Sequence, residues 1–238
     1  MSKETLQECP VCASKLLTGH NNTADRLREQ DGEVIASIIQ YALCLNCGII
    51  FQNPRMDEAD THEYYMSGRY RASMNGDKKN PDDKEKKRAE YIYRYAYDRV
   101  TNSAAPESHL DIGSSRGYLL KSVGAKRRVG VDLYPEYCEF KDIEMYTSMD
   151  DVKGKFDLIT IIHMLEHERF PVQALKDARS KLKPNGTLIV EVPAEPSQYG
   201  LPHLFVFKSW TLAYCLNRAG FEMIGVAFTP HILVTAKK

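Results

Sequence analysis

Short apolar runs alternate with amphipathic segments through the second half of the chain. Continuous runs rich in β-branched residues predict buried strands, and apolar residues three or four positions apart predict helices. Strands are predicted over 109–112, 128–131, 144–147, 156–162 and 187–192, and helices over 118–123, 171–182 and 209–219. This alternation predicts an α/β fold with a doubly wound, mostly parallel sheet. Two closing strands, 221–228 and 232–236, are joined by a short link and predict an antiparallel C-terminal hairpin.

Composition divides the chain into three zones. A cysteine-bearing head covers residues 1–53, a polar and aromatic connector covers 54–106, and the strand-and-helix alternation fills 107–238. A mixed-charge run in the connector leads into a helix predicted over 84–100. The apolar stripe of this helix consists of Ala89, Ile92, Ala96 and Val100. We expect the stripe to pack on the following sheet.

Charge and hydropathy narrow the classes of function. The chain is 43% hydrophobic and 27% charged, as ordinary globular domains are. Its longest apolar run is far below the ~18 residues that span a bilayer, and its N-terminus, MSKETLQECP, has no apolar signal segment. We therefore expect a cytoplasmic protein without a membrane span. Thirty-two basic residues balance thirty-two acidic ones, which disfavours a nucleic-acid partner and favours a small one.

Two C-x-x-C pairs, Cys9 with Cys12 and Cys44 with Cys47, are separated by 31 residues. Each pair forms a turn that directs two thiolates to one point, and two such turns complete the four-sulfur site of structural Zn²⁺. Because the gap exceeds the usual ~15–20 residues, the intervening chain must carry its own hairpin, with 35–43 as the returning strand. Disulfides and a redox C-x-x-C are the alternatives, and a reducing compartment disfavours the former. We expect a small zinc ribbon with one structural Zn²⁺ and no catalytic role.

A glycine-bearing turn follows the first strand of the α/β region, in the sequence HLDIGSSRG over 109–117. A strand, a turn of this kind and a helix together bring backbone N–H groups against a cofactor. Asp111, which we expect at the strand end, would repel a pyrophosphate and attract an ammonium group. Asp132 ends the next strand, 19 residues beyond Gly113, where a carboxylate accepts hydrogen bonds from ribose hydroxyls. The two carboxylates predict an adenosyl ligand that carries an amino acid, rather than NAD.

This turn and its acidic residues resemble the first motifs of class I S-adenosylmethionine-dependent methyltransferases, in which an acidic residue precedes Gly-x-Gly-x-Gly. The resemblance continues in KFDLITIIHMLEH (155–167), LKPNGTLIV (182–190) and AGF (219–221). It implies a Rossmann-like fold and S-adenosyl-L-methionine as cofactor. The cofactor-binding residues that the resemblance implies are Asp111, Gly113, Ser115, Gly117, Asp132, Leu133, Ser148, Met149 and His163. Ser115 departs from the family pattern, because it stands where the motif has its middle glycine.

The head and connector are similar to those of a subgroup of these methyltransferases, which is associated with bacterial polysaccharide and deoxysugar biosynthesis. The similarity lies in the two C-x-x-C pairs, in Pro54-Arg55 and in the tyrosine-rich EYYMSGRY over 63–70. It implies that the connector covers the cofactor, with Tyr65 and Tyr70 as lid residues; packing of these tyrosines on the sheet is the alternative.

His163, Glu166 and His167 follow the fourth strand at its carboxyl end, where ligands bind in such sheets. Because a free imidazole side chain titrates near neutrality, His167 is predicted as a general base, with Glu166 orienting it or contacting the acceptor. His203, in a segment that often faces the acceptor in this family, is a second candidate base. Alternatives are helix capping, a divalent cation at His163, Glu166 and His167, and an H-x-x-E-H protease, which needs both histidines on one long helix.

The sequence therefore predicts a methyltransferase for a small hydroxyl-bearing acceptor, a sugar, sugar nucleotide or glycan precursor, with O-methylation favoured over C- or N-methylation. A non-catalytic module that binds S-adenosylmethionine and recruits a partner through its zinc head is one alternative. Methylation of RNA or protein is another, and it would need a local basic patch. The candidate patch consists of Arg116, Lys121, Lys126, Arg127 and Arg128. The acceptor's identity and the oligomeric state are left open by the sequence.

Overall fold

The computed structural model describes residues 2–28, 34–67, 81–101, 105–194, 198–228 and 231–238. Its strands in chain order are β1 Lys3–Glu4, β2 Leu17–Arg28, β3 Val34–Cys44, β4 Ile50–Gln52, β5 Arg55–Met56, β6 Ser108–Ile112, β7 Arg127–Val131, β8 Glu144–Tyr146, β9 Phe156–Ile162, β10 Leu182–Pro193, β11 Phe205–Val206, β12 Glu222–Phe228 and β13 His231–Lys237. Its helices are α1 Glu58–Met66, α2 Pro81–Ile92, α3 Tyr118–Val123, α4 Pro171–Lys181 and α5 Ser209–Arg218.

These elements form two compact units. The first unit comprises Met1–Lys79, Glu166–Phe170 and Ala194–Thr211, and the second comprises Asn80–Leu165, Pro171–Pro193 and Leu212–Lys238. The sequence placed residues 166–170 and 194–211 in the α/β region. Strand pairing explains part of the difference, because β11 lies beside β4 of the first unit.

A seven-stranded sheet with the order β12-β13-β10-β9-β6-β7-β8 forms the second unit. The five strands from β10 to β8 run parallel, while β13 pairs antiparallel with both β10 and β12. All five residues of β6 are buried, as expected of a central parallel strand that is covered on both faces. The predicted α/β fold and its closing hairpin are confirmed. The insertion of β13 between β12 and β10 was not predicted.

The predicted connector helix packs on this sheet. Ala89, Ile92 and Ala96 are buried in one cluster with Leu158 of β9 and Ile189 of β10. After α2 the helical path widens to a π-helical segment, Tyr93–Asp98, and closes in the turn Arg99–Thr101. Within this segment the carbonyl of Ala96 accepts a hydrogen bond from Thr235 Oγ1 at 2.6 Å.

The first unit contains a four-stranded antiparallel sheet with the order β11-β4-β3-β2. Strand β3 is the returning strand that the sequence predicted. Its partner β2 was missed, because LTGHNNTADRLR is polar and its few apolar residues do not alternate. The apolar core of this unit consists of Ile39, Tyr41, Ile50, Met56, Tyr64, Leu201 and Val206.

None of the helices among the described residues is both long and apolar enough to cross a bilayer.

Candidate functional site

The glycine-bearing turn leaves the carboxyl end of β6 in a left-handed backbone conformation. Gly113 has φ 81°, Ser115 has φ 46° and Gly117 has φ 82°. The N–H groups of Gly113 and Ser114 both donate to the carbonyl of Val131, at 2.8 and 3.1 Å, and so tie the turn to β7. A Cβ on Gly117 would lie 2.9 Å from Cys138 Sγ. The turn therefore needs glycine at that position, and Ser115 tolerates the positive φ at the place of the motif's middle glycine.

Asp132 lies directly beyond β7, beside this turn. Its Oδ2 accepts a hydrogen bond from the N–H of Ser115 at 2.8 Å, and its Oδ1 accepts one from the N–H of Tyr134 at 3.0 Å. Because β6 and β7 are parallel neighbours, the turn and the carboxylate lie at one edge of the sheet. A carboxylate held in this way presents its remaining lone pairs to hydroxyl groups of a ligand.

Asp111 lies inside the sheet. It is the fourth of the five residues of β6 and only 3% exposed, whereas the sequence expected it at the strand end. Thr160 Oγ1 donates to Asp111 Oδ1 at 2.5 Å and also lies 2.8 Å from His109 Nε2. Burial, and after it the nearby charge of Asp132, raises the pKa of Asp111 to about 7. Burial lowers the pKa of His109 to about 3, so this histidine is neutral.

The other predicted cofactor residues fall in both units. Leu133 is 49% exposed beside Asp132. Ser148 and Met149 follow β8, where Ser148 Oγ accepts a hydrogen bond from the N–H of Asp150 at 3.2 Å. Tyr65 is part of the first unit, and Tyr70 lies outside the described residues.

His163 follows β9 with φ 50°, and it contacts a buried carboxylate in the second unit. Its Nε2 lies 3.0 Å from Glu191 Oε1, and its backbone N–H donates to the carbonyl of Glu191 at 2.9 Å. Arg88 forms an ion pair with the same carboxylate, and the ring of His231 packs edge-on against His163 with centroids 4.4 Å apart. Burial by itself would raise the pKa of Glu191, but the hydrogen bond with His163 and the charge of Arg88 lower it overall. Glu191 is therefore an ionised partner for His163.

Glu166, His167 and His203 form a separate cluster, in the first unit, together with Tyr65. The imidazole of His167 lies with its Nδ1 2.8 Å from the carbonyl of Pro202 and 3.1 Å from Tyr65 Oη. Its Nε2 lies 3.8 Å from Glu166 Oε1. The ring of His203 packs against that of His167, with centroids 5.0 Å apart. Glu166 thus lies near His167 at a distance longer than a hydrogen bond, and His203 lies in the same cluster.

The residues of the H-x-x-E-H sequence fall in both units. Ligand atoms of His163 group with those of Glu191 and His231, whereas those of Glu166 and His167 group with His203. The divalent-cation site at His163, Glu166 and His167 stays an untested alternative. The protease interpretation is wrong, since these residues follow an extended strand and end in a short 3₁₀ turn, Leu165–His167.

The four predicted cysteines meet in the first unit. All four sulfurs lie within 4.8 Å of one another, and Cys9 to Cys47 and Cys12 to Cys44 are 3.7 and 3.6 Å apart. A disulfide would require ~2.05 Å, so the sulfurs are not bonded. Ideal tetrahedral coordination at a Zn–S distance of 2.3 Å places sulfurs ~3.8 Å apart, which these two distances match.

Both C-x-x-C pairs fold alike. The N–H of Ala13 donates to the carbonyl of Cys9 at 2.8 Å, and the N–H of Gly48 donates to that of Cys44 at 2.9 Å. Asn46 Nδ2 lies 3.5 Å from Cys12 Sγ. Hydrogen bonding from Cys9 lowers the pKa of Cys47 to about 5, although burial opposes this shift. Hydrogen bonding with Cys47 and burial raise the pKa of Cys9, and burial raises that of Cys44. Cys47 is therefore the thiol that this environment favours as thiolate, the form that binds metal.

Comparison with known proteins places residues 85–226 in a family. A family model described as "Methyltransferase domain" matches residues 85–226, more than half of the chain. The chain belongs to this methyltransferase family. The predicted class of enzyme, a methyltransferase, is thereby confirmed.

Curated relatives of the methyltransferase domain include two tRNA U34 carboxymethyltransferases. That of Syntrophotalea carbinolica is 28% identical over 149 residues, which cover 48% of this chain and 44% of the relative. That of Aeromonas salmonicida is 29% identical over 118 residues, which cover 41% of this chain and 36% of the relative. The chain thus spans less than half the length of these two proteins.

Solved structures share the fold of the methyltransferase domain. Magnesium protoporphyrin IX methyltransferase from Synechocystis PCC 6803, solved with bound SAH, has a TM-score of 0.53 at 14% identity and covers 76% of this chain and 100% of its own. The N-methyltransferase NodS from Bradyrhizobium japonicum WM9, in complex with S-adenosyl-L-homocysteine, has a TM-score of 0.53 at 15% identity, with coverages of 74% and 98%.

Sequence reasoning missed four residues around the methyltransferase site: Arg88, Thr160, Glu191 and His231. One of them could have been found from the sequence pattern. Glu191 interrupts the otherwise apolar run TLIVEVP of β10, and it is 2% exposed. An acidic residue in a buried strand needs a partner, so its position predicts a functional or paired carboxylate. Nothing local in the sequence marks His231 or Arg88 as the residues beside it.

Proposed function

We propose that this protein transfers a methyl group from S-adenosyl-L-methionine to a small hydroxyl-bearing acceptor, a sugar or sugar nucleotide, in the cytoplasm. The observation that carries the proposal is the arrangement of Asp132 beside the Gly113 turn. Two backbone N–H groups orient this carboxylate toward the edge of the sheet where ligands bind. The residues fit a nucleoside, because vicinal ribose hydroxyls need a fixed acceptor and Leu133 supplies an exposed apolar face for adenine.

Asp111 supports an amino-acid portion on that nucleoside. Its carboxyl group lies on β6 just before the turn, within a network of neutral partners. An ammonium group of the ligand would supply the positive charge that the buried carboxyl lacks. Bound S-adenosylmethionine supplies an electrophilic methyl group, so the chain has mainly to orient the acceptor and remove its proton.

His163 is the proposed base within the methyltransferase domain. The ionised carboxylate of Glu191, 3.0 Å from His163 Nε2, would favour a proton on that nitrogen. Nδ1 then carries the lone pair that takes the proton of the acceptor hydroxyl, and Glu191 stabilises the imidazolium that forms. The C–O bond of the acceptor stays intact, and its oxygen becomes the nucleophile.

Charge pairing argues for a small acceptor rather than RNA. Each basic residue of the candidate patch pairs with a carboxylate: Arg116 with Glu139, Lys121 and Arg128 with Asp142, Lys126 with Glu107, and Arg127 with Glu144. The five positive charges therefore lie beside four negative ones, so the patch has only a weak positive potential to attract phosphates.

RNA is the second candidate acceptor, favoured by the names of the curated relatives. The two candidate acceptors are distinguished by an activity assay. The full chain is incubated with methyl-labelled S-adenosylmethionine and either a panel of sugars and sugar nucleotides or bulk tRNA. We expect label in a sugar product. Label in tRNA alone would replace the proposed acceptor, and tight cofactor binding without any product, together with a tight protein partner, would favour the non-catalytic module.

The cysteine cluster is proposed to hold one structural Zn²⁺. Four thiolates complete the coordination of the ion, so it stabilises the first unit and leaves no position for a substrate. The free thiols of the cluster agree with a reducing compartment.

Cofactor affinity is expected to depend on pH through Asp111. With its pKa near 7, the free protein holds a proton on Asp111 below neutrality, and a ligand ammonium displaces that proton. Affinity for S-adenosylhomocysteine should therefore rise with pH, by up to about tenfold per unit, and level off above about pH 7. Calorimetry across this range tests the effect. Asp111→Asn should give a flat profile, and an unchanged slope in that variant would assign the titration elsewhere.

His163→Gln is expected to lower kcat by about 10²–10⁴-fold while affinity for S-adenosylhomocysteine stays constant, because it removes the proton acceptor and not a cofactor contact of the side chain. Glu191→Gln should lower kcat less and shift the pH–rate profile, since it removes the charge that stabilises the imidazolium. His167→Asn is the comparison. Full activity of His163→Gln together with loss of activity in His167→Asn would return the base to His167.

A further inference from the structure

Glu166, His167 and His203 have no role in the proton transfer proposed above. Their ligand atoms lie within 4.8 Å of one another in the first unit, and Glu166 is only 1% exposed. We propose that these three side chains bind one divalent first-row transition metal ion, at a site separate from the cysteine cluster. The site is inferred from first-unit residues alone and stands apart from the proposed methyl transfer.

Backbone carbonyls fix which nitrogen of each imidazole carries a hydrogen. His167 Nδ1 lies 2.8 Å from the carbonyl of Pro202, and His203 Nδ1 lies 2.9 Å from that of Gln198. A carbonyl only accepts, so both Nδ1 atoms carry a hydrogen. The lone pair of each neutral ring is then on Nε2. This arrangement, an Nδ1–H bound to a carbonyl with Nε2 as ligand, is the usual outer shell of a metal-binding histidine.

The ligand set selects the kind of ion. Two imidazole nitrogens and one carboxylate suit Zn²⁺, Co²⁺, Mn²⁺ or Fe²⁺ and do not suit Ca²⁺ or Mg²⁺, which prefer oxygen ligands. At ligand distances near 2.1 Å an ideal tetrahedron has edges of ~3.4 Å, so closure requires small shifts of the side chains. Three protein ligands leave coordination positions open. The cysteine cluster, with four thiolates, leaves none.

The second histidine cluster of this chain shows the contrast. Glu191 lies with His163 and His231 at similar spacing, but Arg88 forms an ion pair with its carboxylate. A guanidinium at that oxygen occupies the place of a metal ion, so we assign that cluster to proton transfer.

The test is a titration of the purified full chain with Co²⁺ and with Zn²⁺, followed by calorimetry, metal analysis and absorption spectroscopy. We expect two equivalents. One Co²⁺ gives the thiolate charge-transfer band of the cysteine cluster, and the second gives only the weaker ligand-field bands of nitrogen and oxygen ligands. Uptake of a single equivalent, with the thiolate band, would overturn the proposal.

His167→Asn and His203→Asn retain a donor for the Pro202 and Gln198 carbonyls while removing Nε2, and Glu166→Gln removes the charge with little change of shape. Each should lose the second equivalent and keep the thiolate band. Tyr65→Phe is the matched control, because it removes a hydrogen bond to His167 without removing a ligand atom. It should weaken the second equivalent by at most about 10–100-fold, the usual outer-shell effect. Retention of the second equivalent in any of the three ligand variants would overturn the assigned ligand set.

Discussion

Asp132→Ala is expected to weaken the binding of S-adenosylhomocysteine by at least about 100-fold. Each hydrogen bond to a charged acceptor contributes about 1.5–3 kcal/mol, and the two ribose hydroxyls would lose their shared acceptor. The substitution also removes the acceptor of the Ser115 and Tyr134 N–H groups, so the turn itself loosens. Isothermal calorimetry on the full chain measures the change directly.

Asp177→Ala is the control for this prediction, because Asp177 is exposed on α4 and belongs to none of the predicted cofactor residues. It should bind S-adenosylhomocysteine as the unchanged protein does. Asp132→Asn separates charge from shape, since it retains one acceptor oxygen and should show an intermediate loss. Unchanged affinity in Asp132→Ala, with the fold intact by circular dichroism, would remove Asp132 from the cofactor site.

Cys44→Ser is expected to release the structural zinc and to unfold the first unit. Cys44 is fully buried, so a serine hydroxyl there can neither coordinate zinc as strongly nor pack as an apolar group. Structural zinc sites contribute on the order of 10–16 kcal/mol, which is comparable to the whole stability of a small domain. Metal analysis should show the loss of one zinc, and hydrogen exchange should show lost protection over 2–28 and 34–67.

Cys138→Ser is the matched control, since this thiol belongs to the second unit and lies outside the cluster. It should retain the zinc and the thiolate band of the Co²⁺ form. A Cys44→Ser protein that keeps both its zinc and the protection of the first unit would refute the ribbon. Reduction without chelator should have no effect on the unchanged protein, because no disulfide holds the unit together.

Sequence reasoning located elements reliably wherever burial dictates the pattern. The strand over 156–162 and the helix beginning at 118 have the same bounds in the structure, because a central strand must be apolar throughout and a helix must present one apolar stripe. Strand β2 was not predicted because its residues are mostly polar, and its position depends on pairing with β3. Strand β11 is only two residues long, and it is a strand only because β4 lies beside it.

The candidate sites divide in the same way. Asp132 and the glycines are recognisable from local sequence, because a tight turn and a strand end constrain which residues fit. The partners of His163 are not recognisable as such, since Glu191 comes from β10, the neighbour of β9, and His231 comes from β13 on the far side of β10, an order that only the sheet sets. In the sequence, the two histidines and the glutamate of H-x-x-E-H suggested a single site. In the structure His163 groups with Glu191 and His231 in the second unit, whereas Glu166 and His167 group with His203 in the first.

The sequence by itself therefore determined the fold class, the four cysteines of the proposed zinc site, the glycine-bearing turn and the acidic residue that follows the next strand. Each of these depends on contacts between residues close in the chain, or on a period that burial imposes. Only the tertiary structure decided that the basic patch is paired with carboxylates and that Asp111 is buried against Thr160. It alone also decided that the histidines form two clusters with different carboxylates. These depend on which distant segments become neighbours, and that is set by packing of the whole sheet rather than by any local pattern.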